Sequence, residues 1–183
     1  MAKRKNSKKP RAGTCETFEI LRTFGDPVLK QQTRPVTSFD PHLRKLCETM
    51  FDIMEREEGV GLAAPQIGVL SRLMVWADPD EDYKRHIFVN PHILHMSDVT
   101  TVEPEGCLSL PGEMMEVPRA DEVLVEAQDV EGEVFRMQLS GFQARVVQHE
   151  VDHLDGRLIL DRTSPEERRR VLKEMRDRVL EGT

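Results

Sequence analysis

The chain has 183 residues, of which 26 are Lys or Arg, 33 are Asp or Glu and 38% are apolar. This length can form one domain with its own core, and three widely spaced cysteines argue against a secreted disulfide framework. A run of about 18 apolar residues is absent from the sequence, which excludes a membrane-spanning helix. We therefore expect a globular protein of the cytoplasm.

Positive charge is concentrated at the start of the chain. Residues 1–11 carry six Lys or Arg and no acid, which leaves a net charge of −13 for the remainder of a chain whose total is −7. We predict that residues 1–17 form a disordered basic arm and that 18–183 form one domain. The arm lacks the apolar stripe of a targeting peptide, and its charge would suit attachment to a polyanion such as RNA.

Three segments show the apolar spacing of amphipathic helices. The first is predicted over 41–59, because Asp40 is a helix-capping residue followed by proline and by apolar residues at three- and four-residue intervals. The others are predicted over 141–154 and over 165–180, where a capping box opens the last helix. Cys47 lies on the apolar stripe of the first helix, so we expect it to be buried rather than to bind metal.

Short segments rich in apolar and β-branched residues lie between these helices. Strands are predicted over 72–77 and 86–90, and two further strands form a hairpin within 123–139. Because the strands cluster between the helices and do not alternate with them, we predict an α+β fold that is largely antiparallel.

The strongest local chemical signal is an H-E-x-x-H sequence inside the second predicted helix, His149-Glu150-Val151-Asp152-His153. Two histidines four residues apart share one helix face and can bind one metal ion, while Glu150 can act as general base on an activated water. Asp152 is expected to point away, toward solvent or a cap. A charged helix with two incidental histidines is the alternative, because the pattern fixes only three positions.

A catalytic metal usually has three protein ligands and one open position, so a third ligand must lie elsewhere in the chain. Cys107 is a candidate, because Gly106 before it permits a tight turn that would present a thiolate. The chain also offers many Asp and Glu residues, and a lone cysteine is commonly a core residue. Spacing alone therefore leaves the third ligand open.

A further segment, 59–68, combines glycines and small residues with one amide side chain, Gln66. It lacks the pattern and the lysine of a phosphate-binding loop. Small residues let a substrate backbone approach closely, and Gln66 can donate a hydrogen bond to charge developing on a carbonyl oxygen. The alternative is a glycine-rich connection without a chemical role.

Together these segments resemble the motifs of the peptide deformylase family. The matching runs are GVGLAAPQ at 59–66, EGCLS at 105–109 and QHEVDHLDG at 148–156, and GDPVLKQQTRPV at 25–36 resembles the family's opening segment. The resemblance implies an α+β fold with antiparallel strands packed around a central metal-binding helix, and with an N-terminal and a C-terminal helix. It also implies removal of the N-terminal formyl group from formylmethionine of new polypeptides, with release of formate.

The resemblance assigns roles to individual residues. Cys107, His149 and His153 would hold one divalent metal ion, most often iron(II) in this family, with zinc, nickel or cobalt as substitutes. Glu150 would be the general base. The resemblance further implies that Gln66 and the backbone N–H of Leu108 are the oxyanion donors. The residues implied to line the substrate channel are Val60, Gly61, Phe142 and Val146. Glu105 and Arg119 would form a supporting ion pair.

Two positions depart from what some family members carry. Met114 stands where others have an arginine, and Arg145 stands where others have an aliphatic residue, which leaves the peptide preference beyond methionine open. The expected partners are formylmethionyl nascent peptides and, through the basic arm and the helix over 165–180, the ribosome. Neither a membrane nor DNA is expected as a partner.

Two other functions are compatible with the residues alone. A zinc peptidase would share the H-E-x-x-H residues but would need a different third ligand. A non-catalytic module would use a structural metal, while the basic arm and the last helix dock on ribosomal RNA.

Overall fold

The computed structural model of the protein describes residues 21–181. The basic arm predicted over 1–17 lies outside these residues, so that boundary remains a prediction. Within the described range the chain forms three α-helices and seven strands, joined by short 3₁₀ turns. The helices are α1 (Pro41–Arg56), α2 (Gly141–Leu154) and α3 (Pro165–Glu181), and the strands are β1 (Gly61–Ala63), β2 (Leu73–Asp78), β3 (Lys84–Met96), β4 (Thr100–Cys107), β5 (Leu110–Ala120), β6 (Glu122–Gln128) and β7 (Val134–Ser140).

Helix α1 begins where the sequence predicts. The Asp40 carboxylate accepts hydrogen bonds from the backbone N–H groups of His42 and Leu43, at 2.8 and 3.1 Å, which satisfies donors that the helix itself cannot pair. The helix ends at Arg56, three residues before the predicted end at Gly59. As predicted for the apolar stripe, Cys47 is fully buried.

The strands form two antiparallel assemblies. The larger sheet has the order β1-β2-β3-β6-β7, and β4 pairs with β5 in a separate two-stranded sheet. The hairpin predicted within 123–139 is confirmed as β6 and β7. Strand β3 runs well past the predicted end at Asn90. Asn90 takes a positive φ of 53°, and the register with β6 shifts at this point, so the strand continues through a bulge.

Strand β2 explains how the core is arranged around the larger sheet. Its six residues are all buried, and alternate side chains point to opposite faces. Leu73 and Val75 pack in the cluster that contains α1, whereas Met74 and Trp76 pack in the cluster that contains α2. The sheet therefore lies between the two helices, with α2 held against one of its faces.

A third apolar cluster joins the separate hairpin to the C-terminal part of the chain. Met115 and Val117 of β5 pack with the segment 158–160 and with Val171 of α3. None of the described helices combines the length and hydropathy needed to cross a membrane.

Candidate metal centre and active site

Helix α2 and the end of β4 bring three metal-binding side chains together. His149 and His153 lie one turn apart on α2, with their Nε2 atoms 3.2 Å apart, and Cys107 Sγ lies 3.3 Å from His153 Nε2. The three donor atoms all fall within 4.8 Å of one another. The sequence left open whether the third ligand is Cys107 or an acidic residue, and whether Cys107 is only a core residue. The structure places Cys107 beside the two histidines.

These distances suit a single metal ion. Bonds of about 2.3 Å to sulfur and about 2.0–2.1 Å to nitrogen place tetrahedral ligands about 3.3–3.6 Å apart. The separations of 3.3 Å between Cys107 Sγ and His153 Nε2 and of 3.2 Å between the two Nε2 atoms lie at or just below the short end of this range. The residues present therefore fit a divalent ion with three protein ligands.

Their surroundings shift the pKa values of the two histidines in opposite directions. Burial alone would lower the pKa of His149, but hydrogen bonds with Cys107 and Glu105 outweigh it and raise that pKa well above its usual value. Burial lowers the pKa of His153 well below its usual value, and the neighbouring His149 charge adds to this effect.

A second group of donors lies elsewhere in the described chain and is less suited to a metal. Asp78, Glu81 and His86 also come within 4.8 Å of one another. However, Glu81 is exposed and pairs with Lys84 at 2.6 Å, while Asp78 accepts hydrogen bonds from Gln143 and from a backbone N–H of its own turn. The metal centre is therefore assigned to the group on α2 and β4.

Glu150 lies beside the centre with a carboxylate oxygen that has no hydrogen-bond partner among residues 21–181. The side chain is buried, and Oε2 makes no hydrogen bond within the described chain. Burial raises the pKa of Glu150 to about 7, despite the opposing effect of the His149 and Arg119 charges. A buried carboxylate with a pKa in this range can both accept and return a proton near neutral pH.

The amide of Gln66 has a fixed orientation. Its Oε1 accepts a hydrogen bond from the backbone N–H of Ala63 at 2.8 Å, so its NH₂ group points the other way. Nε2 lies 3.3 Å from Ser109 Oγ and 3.9 Å from Cys107 Sγ. Leu108 occupies the two-residue turn between β4 and β5, directly after Cys107. Both proposed oxyanion donors therefore lie at the metal centre.

A groove of about 660 Å³ opens onto these residues. The four residues predicted to line the substrate channel all border it, along with the chemical groups: Val60, Gly61, Phe142, Val146, Gln66, Leu108, Cys107, His149 and Glu150. Phe142 is 46% exposed, whereas Val146 is buried. Apolar side chains thus border one part of the groove, as an apolar substrate side chain would require.

Glu105 contacts His149, one of the three metal-donor residues. Its Oε2 lies 3.0 Å from His149 Nδ1, and its carboxylate pairs with Arg119 as the family resemblance implies. Burial alone would raise the pKa of Glu105, but hydrogen bonds from His149 and Arg119 lower it to about 2. An ionised Glu105 is an acceptor, so Nδ1 carries the hydrogen, and Nε2 of the neutral ring would offer its lone pair to a metal ion.

Several functional contacts in this region were not predicted. Arg145, noted only as a departure from the family, is buried and donates to Glu105 Oε1 at 2.8 Å. Asp152 lies outside the groove and the donor group, as predicted, but it points neither to solvent nor to a cap, because its side chain is buried and paired with Arg119 and Arg162. The sequence shows only the helix position of Asp152, which faces away from the metal donors. It does not show that strand β5, which carries Arg119, packs on that side of the helix.

Comparison with known proteins decides the family. The family model described as polypeptide deformylase matches residues 18–169. The chain belongs to the polypeptide deformylase family. A peptide deformylase from Thermotoga maritima is 43% identical over 157 residues, covering 86% of this chain and 94% of the relative. Peptide deformylase 2 from Streptomyces avermitilis is 44% identical over 164 residues, covering 88% of each chain.

Solved structures of the deformylase family share the fold. The crystal structure of peptide deformylase from Thermus thermophilus matches with a TM-score of 0.82 and 41% identity, covering 88% of this chain and 95% of that chain. The predicted α+β class and the family resemblance are confirmed. The chain is therefore a metal-dependent hydrolase of this family, and the alternatives of a zinc peptidase and of a non-catalytic RNA-docking module are set aside.

Proposed function

We propose that the protein removes the N-terminal formyl group from formylmethionyl nascent peptides and releases formate. The family assignment supports this activity. The observation that carries the proposal is a single groove bordered by Cys107, His149 and Glu150. His153 completes the donor group with Cys107 and His149, and Glu150 Oε2 makes no hydrogen bond within residues 21–181.

Cys107, His149 and His153 would hold the metal, which when bound would polarise a carbonyl group and lower the pKa of water. Glu150 takes a proton from the attacking water and gives it to the leaving amine nitrogen, since Glu150 borders the groove and its Oε2 makes no hydrogen bond to any described residue. The tetrahedral carbon collapses with cleavage of the C–N bond, so the products are formate and a free amino terminus.

Two donors stabilise the charge that develops on the formyl oxygen. Gln66 is held by Ala63 with its NH₂ group toward the centre, and the backbone N–H of Leu108 follows the ligand Cys107 in a tight turn. Donors fixed before the reaction begins need no reorganisation as charge develops. Val60, Gly61, Phe142 and Val146 are proposed to receive the methionine side chain and the peptide backbone.

The proposed function is tested by formate release from a short formyl-Met peptide. Glu150→Ala and the near-isosteric Glu150→Gln should each lower the rate by about 10²–10⁴-fold while the metal content stays the same, because Glu150 moves protons and does not bind the metal. Activity within threefold of the unmodified enzyme would refute this role.

A companion experiment tests the ligand set. Cys107→Ala should lose metal and activity together, because two remaining ligands do not fix a tetrahedral site. His95→Ala, which changes a histidine outside the groove, serves as the matched control and should keep both. Retention of a full metal complement by Cys107→Ala would contradict the proposed ligands.

Iron(II) is the metal we propose for the enzyme in the cell. Thiolate and imidazole ligands suit both zinc and iron(II), so the donor set supports either ion and the family's usual preference favours iron. Anaerobic purification followed by metal analysis tests this, with iron at about one equivalent as the expected result and zinc as the contrary one. We also propose the cytoplasm as its location.

We propose that ribosome contact rests on the basic arm 1–17. Helix α3 was expected to contribute, but each of its six basic side chains has an acidic partner within the described chain: Arg168 with Asp161, Arg169 with Glu166, Arg170 with Glu167 and Glu174, Lys173 and Arg176 with Asp177, and Arg178 with Glu113. These pairs favour the interpretation of α3 as a surface helix stabilised by its own charges.

A further inference from the structure

Asp152 lies on the metal-binding helix but on the side away from the groove. Its Oδ2 accepts hydrogen bonds from Arg119 Nη1 at 2.5 Å and from Arg162 Nε at 3.0 Å, and its Oδ1 accepts one from Arg162 Nη2 at 2.5 Å. Asp152 and Arg119 are both buried, whereas the Arg162 side chain is 38% exposed. The carboxylate therefore joins a buried arginine to one at the surface.

The buried arginine continues the connection toward the metal centre. Arg119 donates from Nε and Nη2 to the two oxygens of Glu105, at 2.9 and 3.0 Å, and Glu105 Oε2 in turn lies 3.0 Å from His149 Nδ1. A continuous series of charged contacts thus runs from the surface to a proposed metal ligand: Arg162, Asp152, Arg119, Glu105 and His149.

We propose that Asp152 and Arg162 are positioning residues that set the orientation of His149, and hence the metal affinity, through Arg119 and Glu105. The inference rests on the proposed ligand set, of which His149 is a member. It assigns a role to the acidic residue between the two histidines of the H-E-x-x-H segment, and to a residue that does not border the groove.

The planar shape of guanidinium explains how Asp152 can act over this distance. Arg119 contacts Glu105 along one edge and Asp152 at another nitrogen, so the two carboxylates together fix the rotation of the guanidinium plane. With that plane fixed, both oxygens of Glu105 have defined positions and His149 Nδ1 has a defined acceptor. Without the charge of Asp152, one end of the plane loses its anchor.

Arg145 makes the expected effects unequal along the series. It donates to Glu105 Oε1 at 2.8 Å and to the backbone carbonyl of Val117 at 2.9 Å, so Glu105 keeps one buried cationic partner when Arg119 shifts. Loss of the Glu105 charge should therefore have the largest effect on the metal. Loss of Asp152 or Arg162 should have a smaller effect in the same direction.

The test uses the full-length enzyme loaded with Co²⁺, whose absorption spectrum reports the ligand geometry, and measures release of Co²⁺ to a chelator. Outer partners of metal-binding histidines typically change affinity about 10–100-fold, so Glu105→Gln should speed release by that amount. Asp152→Asn and Arg162→Met should each speed it by about 3–10-fold and alter the spectrum. Arg162→Lys, which keeps the charge, should restore part of the difference.

The matched control is Asp155→Asn, at the residue that follows helix α2. Its carboxylate pairs with Arg72 at 2.8 Å and makes no hydrogen bond with a side chain of the series within the described chain. This variant should leave the release rate within twofold of the unmodified enzyme even where thermal stability falls. Release from Asp152→Asn at the unmodified rate, with an unchanged spectrum, would overturn the proposal. Faster release from the control at equal loss of stability would overturn it too, by showing a general structural effect.

The same assay separates failure of this inference from failure of the proposed function. Cys107→Ala should not retain Co²⁺ at all, which checks the ligand set without any substrate. Retention by that variant would reject the ligand set and the positioning series together. Loss by that variant with unaltered release from Asp152→Asn would reject the positioning series alone.

Discussion

Gly61 leaves the space that the Glu150 carboxylate occupies. A Cβ atom built on Gly61 would lie 2.5 Å from Glu150 Oε1 and 3.0 Å from its carboxyl carbon. Non-bonded heavy atoms are most favourably placed at about 3.5–4.0 Å, so in Gly61→Ala the carboxylate must move by about 1 Å. Displacement of a reacting group by this amount can cost about 10²-fold in rate. We expect a kcat reduced to that extent, with the metal retained.

Formate release under saturating formyl-Met peptide measures this effect, with metal content determined on the same samples. Gly59→Ala is the matched control two residues earlier. Its Cβ would come too close only to Cδ1 at the end of the Leu108 side chain, at 2.8 Å, which can rotate away, whereas the backbone oxygens of Met54 and Gly61 lie at ordinary contact distances of 3.4 and 3.5 Å. The control should stay within a few-fold of the unmodified enzyme. A Gly61→Ala enzyme with unreduced kcat would refute the view that the position of Glu150 limits the reaction.

Three further outcomes are expected. Gln66→Leu removes an oxyanion donor and should lower the rate of formate release by about 10²–10³-fold with metal retained; a rate within threefold of normal would count against that role. Gly156 has a φ of 72°, and a Cβ added there would lie 2.7 Å from the backbone oxygen of Lys30. Gly156→Ala should therefore lower the free energy of unfolding by about 2 kcal/mol or more, which calorimetry would show as a fall in Tm of roughly 4–8 °C. An unchanged Tm would contradict this expectation. Deletion of residues 1–15 should weaken ribosome co-sedimentation at low salt yet leave turnover of a short peptide unchanged, and unaltered co-sedimentation would exclude the arm.

The helices and four of the five strands of the larger sheet could be predicted because their signals are local, whereas β1 lies in the segment 59–68, which was not predicted as a strand. The cap at Asp40 and the apolar spacing over 141–154 each fix a helix without knowledge of its partners. The hairpin of β6 and β7 likewise shows alternating residues on either side of a turn. Each of these elements carries its own start and stop in adjacent residues.

The β4–β5 hairpin was missed because its residues hide the usual signals. Most of β4 is exposed, and prolines interrupt both strands at 104, 111 and 118, which sequence patterns take as evidence against a strand. Prolines are tolerated here because a two-stranded sheet leaves edges that need no ladder hydrogen bond. In β5, buried Arg119 alternates with apolar residues, so a charged residue breaks the apolar pattern although the strand itself is regular.

The same limit applies to the site. The H-E-x-x-H spacing identifies the two histidines from helix geometry alone, but Cys107 could be chosen only by resemblance to a family. Arg145 and Asp152 were missed because a charged side chain on a helix is expected to face water unless its partner is known. Their partners, Glu105 and Arg119, lie more than thirty residues away in sequence and meet them only in the folded chain.

The burial of α2 has a consequence for hydrogen exchange. Every residue from Ala144 to Leu154 is buried, so amide hydrogens in this helix should exchange only when the whole domain unfolds. Cys107 and Leu108, by contrast, lie at the turn of a two-stranded hairpin whose β4 strand is mostly exposed, where smaller openings suffice. Amide hydrogens near the histidines and Glu150 would thus exchange slowly, whereas those of the turn that carries Cys107 would exchange fast. Entry or departure of a bound group would depend on opening of this turn.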